Sequence, residues 1–263
     1  MAAGDWLVLA GGTDIYPAHV DRPISRPVLD ISRIAGLRGV SLTGEGWRIG
    51  ALTTWSDIVR ADLPPAFDAL KQAAREVGAI QIQNAATVAG NLCNASPAAD
   101  GVPPLLTLDA EVELESTAGS RRMPLGQFIE GNRKTALRPG ELMTAVHVPA
   151  AAGTGVGRFE KLGARRYLVI SIVMVAVRLV VDKGAITDAA IAVGACSPVA
   201  RRLGAVEAAL KGRPADAGIA ETFASAEFDL SPIDDVRASA EYRVDAAREL
   251  VTRAILRLVE DRP

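Results

Sequence analysis

Short apolar runs, many of them bounded by glycine, predict most of the strands of this chain. The pattern within them is either a continuous Val- and Ile-rich run or an alternation of apolar and polar positions. Turn residues at 44–46 divide residues 36–50 into a hairpin, and Asp-Lys-Gly at 182–184 joins the last two strands in another. The other predicted strands cover residues 6–10, 28–31, 110–116, 142–148, 159–162, 168–181 and 186–195.

Apolar positions at helical spacing predict helices in the remaining segments. Thr53 or Thr54 can cap a helix that ends near Arg60, and Pro64 and Pro65 begin a second helix. That second helix extends to about residue 77, and the later ones cover residues 199–210, 216–226 and 240–259. Small residues at 150–157 predict a linker. We therefore expect an N-terminal lobe over 1–52, a middle lobe over 53–152 and a C-terminal domain over 153–263.

Composition narrows the class of protein. Of 263 residues, 49% are apolar and 23% charged, which is typical of a globular protein. The net charge of -2 argues against general binding to nucleic-acid phosphates, which needs a basic face. The longest apolar stretch, residues 167–177, is too short for a membrane-spanning helix. The first residues do not resemble a signal peptide, and two cysteines indicate a reducing, cytoplasmic location.

The cysteines and histidines also limit the metal chemistry of the chain. Cys93 and Cys196 cannot supply the four thiolates of a usual iron–sulfur cluster. The two histidines, His19 and His147, lie too far apart in sequence for a zinc motif. We predict no metal ligands in this chain, so any iron–sulfur cluster would be bound by another chain.

Two segments of small residues are the candidate binding elements. The first is VLAGGTDI at residues 8–15, and the second begins with TVAGN at 87–91 and continues to Asp100. Backbone amides in such segments can form a nest for phosphate oxygens without Lys or Arg. Polar groups of Thr13, Thr87, Asn91, Asn94 and Ser96 can add contacts to a ribose or a diphosphate. Tight turns with a small-residue packing surface are the alternative interpretation.

Taken in order along the chain, these segments resemble a known family. AGGTDI, TVAGNLCNASPAAD, FEKLGAR, GACSPVARRL and SAEYRVDAARELVTRAI are similar to motifs of the FAD-binding subunit of molybdenum hydroxylases. That family includes the xanthine dehydrogenase and carbon monoxide dehydrogenase flavoproteins. The resemblance implies an α+β fold. It comprises a PCMH-type FAD-binding domain, with a small α/β lobe and a sheet-rich lobe, followed by an α+β C-terminal domain with an antiparallel sheet and helices.

The resemblance also implies which residues bind FAD. The first segment would wrap the diphosphate, and residues 87–91 would form a second phosphate loop. Asp100 would form a hydrogen bond to a polar part of the cofactor. Leu142 would contact the ring region of FAD, and Lys161 would lie by the isoalloxazine. The implied FAD-binding residues are Val8, Leu9, Ala10, Gly11, Gly12, Thr13, Asp14, Ile15, Thr87, Val88, Ala89, Gly90, Asn91, Asp100, Leu142 and Lys161. A cation near reduced flavin would raise the flavin potential. The alternative is a solvated Lys161 at a strand end that pairs with Glu160 or another neighbour.

The implied function is electron transfer within a multi-subunit oxidoreductase. A large molybdopterin-binding subunit would hydroxylate a substrate, and a small 2Fe–2S subunit would pass the electrons to FAD on this chain. An acceptor such as NAD or a quinone would then take them, so this chain needs no catalytic acid or base. Two alternatives stay open: a self-contained flavin oxidase, and an assembly or scaffold subunit that binds no FAD.

Three positions differ from the family pattern. Seven residues precede Val8, where relatives have a strand and a helix, so we expect an exposed edge on the first sheet. The second segment reads TVAGN where relatives commonly have two adjacent glycines, so Ala89 needs a negative φ. Val77 stands where some relatives have an aromatic residue near the flavin.

Overall fold

Thirteen strands and nine α-helices lie within residues 6–261, the part of the chain that this computed structural model describes. The strands are β1 Leu7–Leu9, β2 Val28–Asp30, β3 Val40–Thr43, β4 Gly46–Gly50, β5 Glu111–Ser116, β6 Gly119–Pro124, β7 Ile129–Gly131, β8 Lys134–Thr135, β9 Leu142–Pro149, β10 Val156–Leu162, β11 Val173–Asp182, β12 Ala185–Gly194 and β13 Arg201–Arg202. The helices are α1 Ile15–Ala18, α2 Trp55–Arg60, α3 Asp68–Glu76, α4 Ile80–Ala85, α5 Val88–Asn94, α6 Val102–Thr107, α7 Leu125–Phe128, α8 Gly204–Leu210 and α9 Ala240–Glu260. Short 3₁₀ helices are Ala35–Leu37, Pro65–Phe67, Ala150–Gly153 and Ala217–Phe223.

The strands form two main antiparallel sheets and two small ones. The order β3-β4-β9-β5-β6 makes a five-stranded sheet, and β10-β11-β12-β13 makes a four-stranded sheet. Strands β1 and β2 pair in parallel across the connection that contains α1, and β7 pairs with β8. The mixed helix and sheet content is the α+β fold that the sequence predicts.

Each main sheet has its own apolar core. Beneath the five-stranded sheet, Trp55, Phe67, Leu92 and Phe128 are fully buried together with residues of α5 and α6. The four-stranded sheet packs against α8 and α9, where helix residues such as Val251 are fully buried.

Residues 173–177 of β11 form an unbroken apolar run because both faces of this part of the strand are covered. Val173, Val175 and Val177 face the core shared with α9. Met174 and Ala176, on the opposite face, pack against α3 and β10. A strand covered on both faces has no polar face to alternate with.

The two sheets are joined by close contacts rather than by a free linker. Gly157 of β10 lies against α3 and its preceding turn, because a Cβ there would come within 2.5 Å of the Ala66 carbonyl oxygen. Gln72 of α3 accepts a hydrogen bond from the Phe159 amide at 2.8 Å. The predicted linker at 150–157 is therefore wrong in part: it is a 3₁₀ turn with Ala152 buried, followed by the first residues of β10.

Most of the predicted strands and hairpins are confirmed. The hairpin at residue 183 turns through Lys183 and Gly184, with φ values of 49° and 80°. Thr54, not Thr53, caps α2, and its hydroxyl accepts from the Asp57 amide while the Asp57 carboxylate accepts from the Thr54 amide. None of the helices in the described residues is long and apolar enough to cross a membrane.

Other predicted elements need correction. The strand predicted at 168–181 begins only at Val173. The helix predicted at 199–210 starts at Gly204, because Arg201 and Arg202 pair with β12 instead. The helix predicted at 216–226 is a 3₁₀ helix, Ala217–Phe223. Strand β6 and helix α6 were not predicted: β6 is largely exposed and polar, and α6 begins with two prolines.

The domain boundaries at residues 52 and 152 stay a prediction. Residues 1–5 and 262–263, at the outer ends of the first and third predicted domains, lie outside the described residues.

Candidate functional site: a cavity between two small-residue segments

The first segment leaves β1 and turns sharply before α1. Gly12 adopts a φ of +71°, which a residue with a side chain rarely takes. Within the described chain, the amides of Gly11, Gly12, Thr13 and Asp14 donate no hydrogen bond to another protein group. Four consecutive unpaired amides are an unusual arrangement for protein backbone, and they are suited to bind oxygen atoms of a ligand.

The second segment is a helix start and not the loop that the sequence predicts. Thr87 is the N-cap of α5, and its hydroxyl accepts from the Gly90 amide at 3.0 Å. The amides of Val88 and Asn91 are also used, by the carbonyls of Thr53 and Thr87. This helix was missed because its small residues mask the buried pair Val88 and Leu92, which is spaced at i and i+4. Since Ala89 is helical, its methyl group causes no backbone strain.

The first segment contacts both the second segment and Ala85, which lies just before it. A Cβ on Gly11 would lie 1.9 Å from the carbonyl oxygen of Ala85, so only glycine allows this approach. Asn94, the last residue of α5, donates from Nδ2 to Asp14 Oδ1 at 3.0 Å.

An open cavity of about 430 Å³ lies between the segments. Polar and backbone groups of both segments form one part of its wall. The other part is apolar and comprises Val77, Ile82, Leu137, Leu142 and Met143. This combination is suited to a ligand with a polar diphosphate and an apolar ring system.

The charges around the cavity are few. No Lys, Arg or His is among the described residues of the wall, where the titratable side chains are Asp14, Cys93 and Glu141. The Glu141 carboxylate accepts from Arg121 Nε and Nη2 at 2.7 and 2.8 Å, and this bonding lowers its pKa. Burial raises the pKa of the Cys93 thiol to about 12, so it is protonated at neutral pH.

Asp100 and Lys161 form a buried ion pair outside the cavity wall. Lys161 Nζ lies 2.7 Å from Asp100 Oδ2, and the two side chains are 6% and 10% exposed. Ser171 donates to Asp100 Oδ1 at 2.6 Å. Burial raises the pKa of Asp100, and the Lys161 charge and the Ser171 hydrogen bond oppose this shift. Lys161 does not pair with Glu160, whose carboxylate bonds Arg158 and Arg257 instead.

Most of the predicted FAD-binding residues therefore converge, and a few do not. Of residues 8–15, the structure places all but Leu9 in the cavity wall. Of residues 87–91, all but Val88 line it, and Leu142 does too, whereas Val88 is buried in the core. Asp100 and Lys161 pair with each other and are not part of the wall. Sequence analysis missed Trp55 and Glu141 as wall residues, since neither belongs to a recognisable motif.

Trp55 Nε1 and Asn91 Oδ1, two atoms of wall residues, have no hydrogen-bond partner among the described residues. Both atoms are buried within the protein, so a ligand in the cavity cannot bond them. The fit to FAD rests on other groups: the four unpaired amides of residues 11–14 can bind phosphate oxygens, and the apolar part of the wall can hold a ring system. The wall residues fit FAD on these grounds.

Comparisons with known proteins agree with this interpretation. Residues 2–151 match the model of the FAD binding domain in molybdopterin dehydrogenase, and residues 159–258 match the CO dehydrogenase flavoprotein C-terminal domain. The chain is 30% identical to the xanthine dehydrogenase FAD-binding subunit of Escherichia coli O157:H7, over 94% of this chain and 87% of that one. It is 29% identical to the carbon monoxide dehydrogenase medium chain of Hydrogenophaga pseudoflava, over 95% and 88% of the two chains.

A solved structure shares the fold along nearly the whole chain. It is a carbon monoxide dehydrogenase from Hydrogenophaga pseudoflava that lacks the Mo-pyranopterin moiety of its cofactor, with a TM-score of 0.84 and 30% identity over 95% of this chain and 88% of that chain. The chain belongs to the family of FAD-binding subunits of molybdenum hydroxylases. Its cofactor is FAD, and it is a flavoprotein subunit of an oxidoreductase.

Proposed function

We propose that this chain passes electrons from iron–sulfur clusters on a small partner subunit to an acceptor such as NAD or a quinone. The substrate would be hydroxylated on a large molybdopterin-binding partner. Bound FAD supplies the redox chemistry, while this chain holds it in position and sets its electrostatic surroundings.

The proposal rests on one observation: the four unpaired amides of the first segment and the start of the second segment line the same cavity. We propose that residues 8–15 hold the diphosphate through these amides. In the second segment, the amide of Ala89 and the polar groups of Thr87 and Asn91 would add contacts. Leu142 would lie against a ring of FAD. Asp100 and Lys161, which pair outside the cavity wall, would act on the isoalloxazine through their charges.

The cavity wall supports an electron-transfer role over a self-contained oxidase. An oxidase acting on a small substrate needs a positioned acid or base. In the described part of the wall, Glu141 is held by Arg121, Cys93 is protonated, and Asp14 is bonded to Asn94. These groups are committed to the protein structure.

The number of cysteines supports the proposal that the iron–sulfur clusters are bound by a partner subunit. A 2Fe–2S cluster usually takes four thiolates, and this sequence contains two cysteines. Because both thiols are free, a reducing cytoplasm is the location that we propose.

The test is reduction of the complete native complex in rapid-mixing experiments. We expect the purified complex to contain FAD, molybdenum and iron, and substrate to bleach the iron–sulfur and flavin absorbance. NAD or a quinone should then restore the flavin absorbance. A complex from which FAD has been removed should still reduce its clusters but no longer reduce the acceptor. Equal acceptor reduction with and without FAD would contradict the proposal.

A further inference from the structure

Arg133 lies outside the cavity but is connected to both segments that form it. It occupies the turn between β7 and β8, is solvent-exposed, and is not part of the cavity wall. Its Nη1 donates to Asn94 Oδ1, and Asn94 Nδ2 donates in turn to Asp14 Oδ1 at 3.0 Å. This chain of hydrogen bonds runs from the hairpin through the end of α5 to the first segment.

Arg133 fixes the orientation of the Asn94 amide. A guanidinium has donors but no acceptor, so it can bond only the oxygen end of an amide. Asn94 must then present its NH₂ group to Asp14, whose carboxylate can only accept. With Arg133 removed, the hydrogen bond to Asp14 is the one contact left among the described residues to orient the Asn94 side-chain amide.

The backbone holds Arg133 in place for this contact. Its amide donates to the carbonyl of Ala95 at 2.9 Å, and Ala95 is the C-cap of α5. Arg133 adopts a φ of +57° and Ala95 a φ of +47°, both uncommon for residues with side chains. The hairpin is thus attached to the end of the helix whose first turn lines the cavity.

Asp14 and Arg133 carry opposite charges at the two ends of this chain of hydrogen bonds. Asp14 places a negative charge in the wall where the diphosphate of FAD is proposed to bind, and like charges repel. The cation of Arg133, connected through Asn94, opposes that repulsion.

We propose that Arg133 is a positioning residue for FAD, which acts through Asn94 to hold Asp14 and the first segment in the binding conformation. This inference rests on the proposed binding of the diphosphate by that segment.

The experiment is a titration of the FAD-free full-length chain with FAD, followed by absorbance and fluorescence. We expect Arg133→Met to weaken FAD affinity about tenfold, equal to about 1.4 kcal/mol. Arg133→Lys, which keeps a cationic donor, should recover part of the loss. Lys134→Met is the matched control, since Lys134 lies on the same hairpin and pairs with the exposed Glu130 at 3.0 Å. It should bind FAD like the wild type.

The variant Asn94→Ala tests whether Arg133 affects FAD binding through Asn94 or directly. If Arg133 acts through Asn94, the Arg133→Met/Asn94→Ala double variant should bind FAD no more weakly than Asn94→Ala alone. Losses that multiply in the double variant would overturn the inference. A lower melting temperature of FAD-free Arg133→Met that accounts for its weaker FAD binding would also overturn it. An unchanged FAD affinity of Arg133→Met would do the same. Failure of the wild type to bind FAD would instead overturn the proposed function together with this inference.

Discussion

Gly11 and Gly12 occupy positions where neighbouring protein atoms leave no space for a side chain. A Cβ on Gly11 would meet the backbone of Ala85, which cannot move as a flexible side chain can. The contact between the first segment and the residues before α5 therefore depends on this glycine.

We expect Gly11→Ala to weaken FAD binding strongly and to lower the unfolding free energy by about 1–3 kcal/mol, as other overpacked sites do. The measurements are an FAD titration and urea unfolding. Gly44→Ala is the control, because an added Cβ there would meet nothing within 4 Å. Normal FAD affinity in Gly11→Ala would show that the close approach of the segments is not needed.

The Asp100–Lys161 pair predicts opposite changes in flavin potential for its two members. Replacing Asp100 by Asn leaves the Lys161 charge uncompensated, which should favour the reduced, anionic ring and raise the potential. Lys161→Met should lower it. A full unit charge about 4 Å away at a dielectric near 20 gives at most about 90 mV, so we expect shifts of tens of mV.

Spectroelectrochemical titration of both variants checks this expectation. Shifts of the same sign would show that the two residues do not act on the flavin as opposed charges. If neither potential changes, Lys161 does not lie close enough to the isoalloxazine to influence it.

At the scale of elements, α5 combines a cap with a binding surface. Thr87 caps the helix, and residues of its first turn line the cavity. A lost cap weakens a helix by about 1 kcal/mol.

We expect Thr87→Ala to lower the unfolding free energy by about 1 kcal/mol and also to weaken FAD binding. Ser239 caps α9 through the Tyr242 amide and does not line the cavity, so Ser239→Ala should show the stability loss with normal FAD affinity. Urea unfolding and FAD titration distinguish these results. Equal FAD affinity in both variants would contradict a binding role for the start of α5.

Element prediction from sequence succeeds where the signal is local. The helix cap, predicted at Thr53 or Thr54, and the turn at residues 182–184 depend on a few neighbouring residues, and both are found. It fails where tertiary contacts decide, as at Arg201 and Arg202, which pair with β12 instead of starting a helix. In α5, small residues gave no clear helical period.

The candidate site shows the same division. The first segment could be predicted because its glycines are needed for close backbone approach. The pairing of Asp100 with Lys161 could not, since 61 residues separate them and no local pattern connects them. Trp55 enters the wall only because the starts of α2 and α5 are hydrogen-bonded to each other in the folded chain, where the Trp55 amide donates to the Ala86 carbonyl and the Val88 amide to the Thr53 carbonyl.

For the whole molecule, paired carboxylates determine the response to acid. The Arg121 hydrogen bonds hold the pKa of Glu141 below its ordinary value near 4.5. A group with a lowered folded pKa stabilises the protein above its unfolded pKa and loses that effect as pH falls. We therefore expect the unfolding free energy to decrease below about pH 4.5.

Urea unfolding between pH 7 and pH 3 measures this dependence. Arg121→Met should be less stable at pH 7 and lose less stability on acidification than the wild type. Arg253→Met, which breaks the exposed pair with Glu249, should follow the wild-type curve. Parallel curves for Arg121→Met and the wild type would show that Glu141 does not contribute to the acid response.

Hydrogen exchange at residues 11–14, with and without FAD, tests the central claim most directly. These amides donate no hydrogen bond within the described chain, so they should exchange rapidly in the FAD-free protein. If they bind the diphosphate, saturating FAD should slow their exchange strongly, together with that of the first turn of α5. Unchanged exchange at these amides in a chain that has bound FAD would contradict the account.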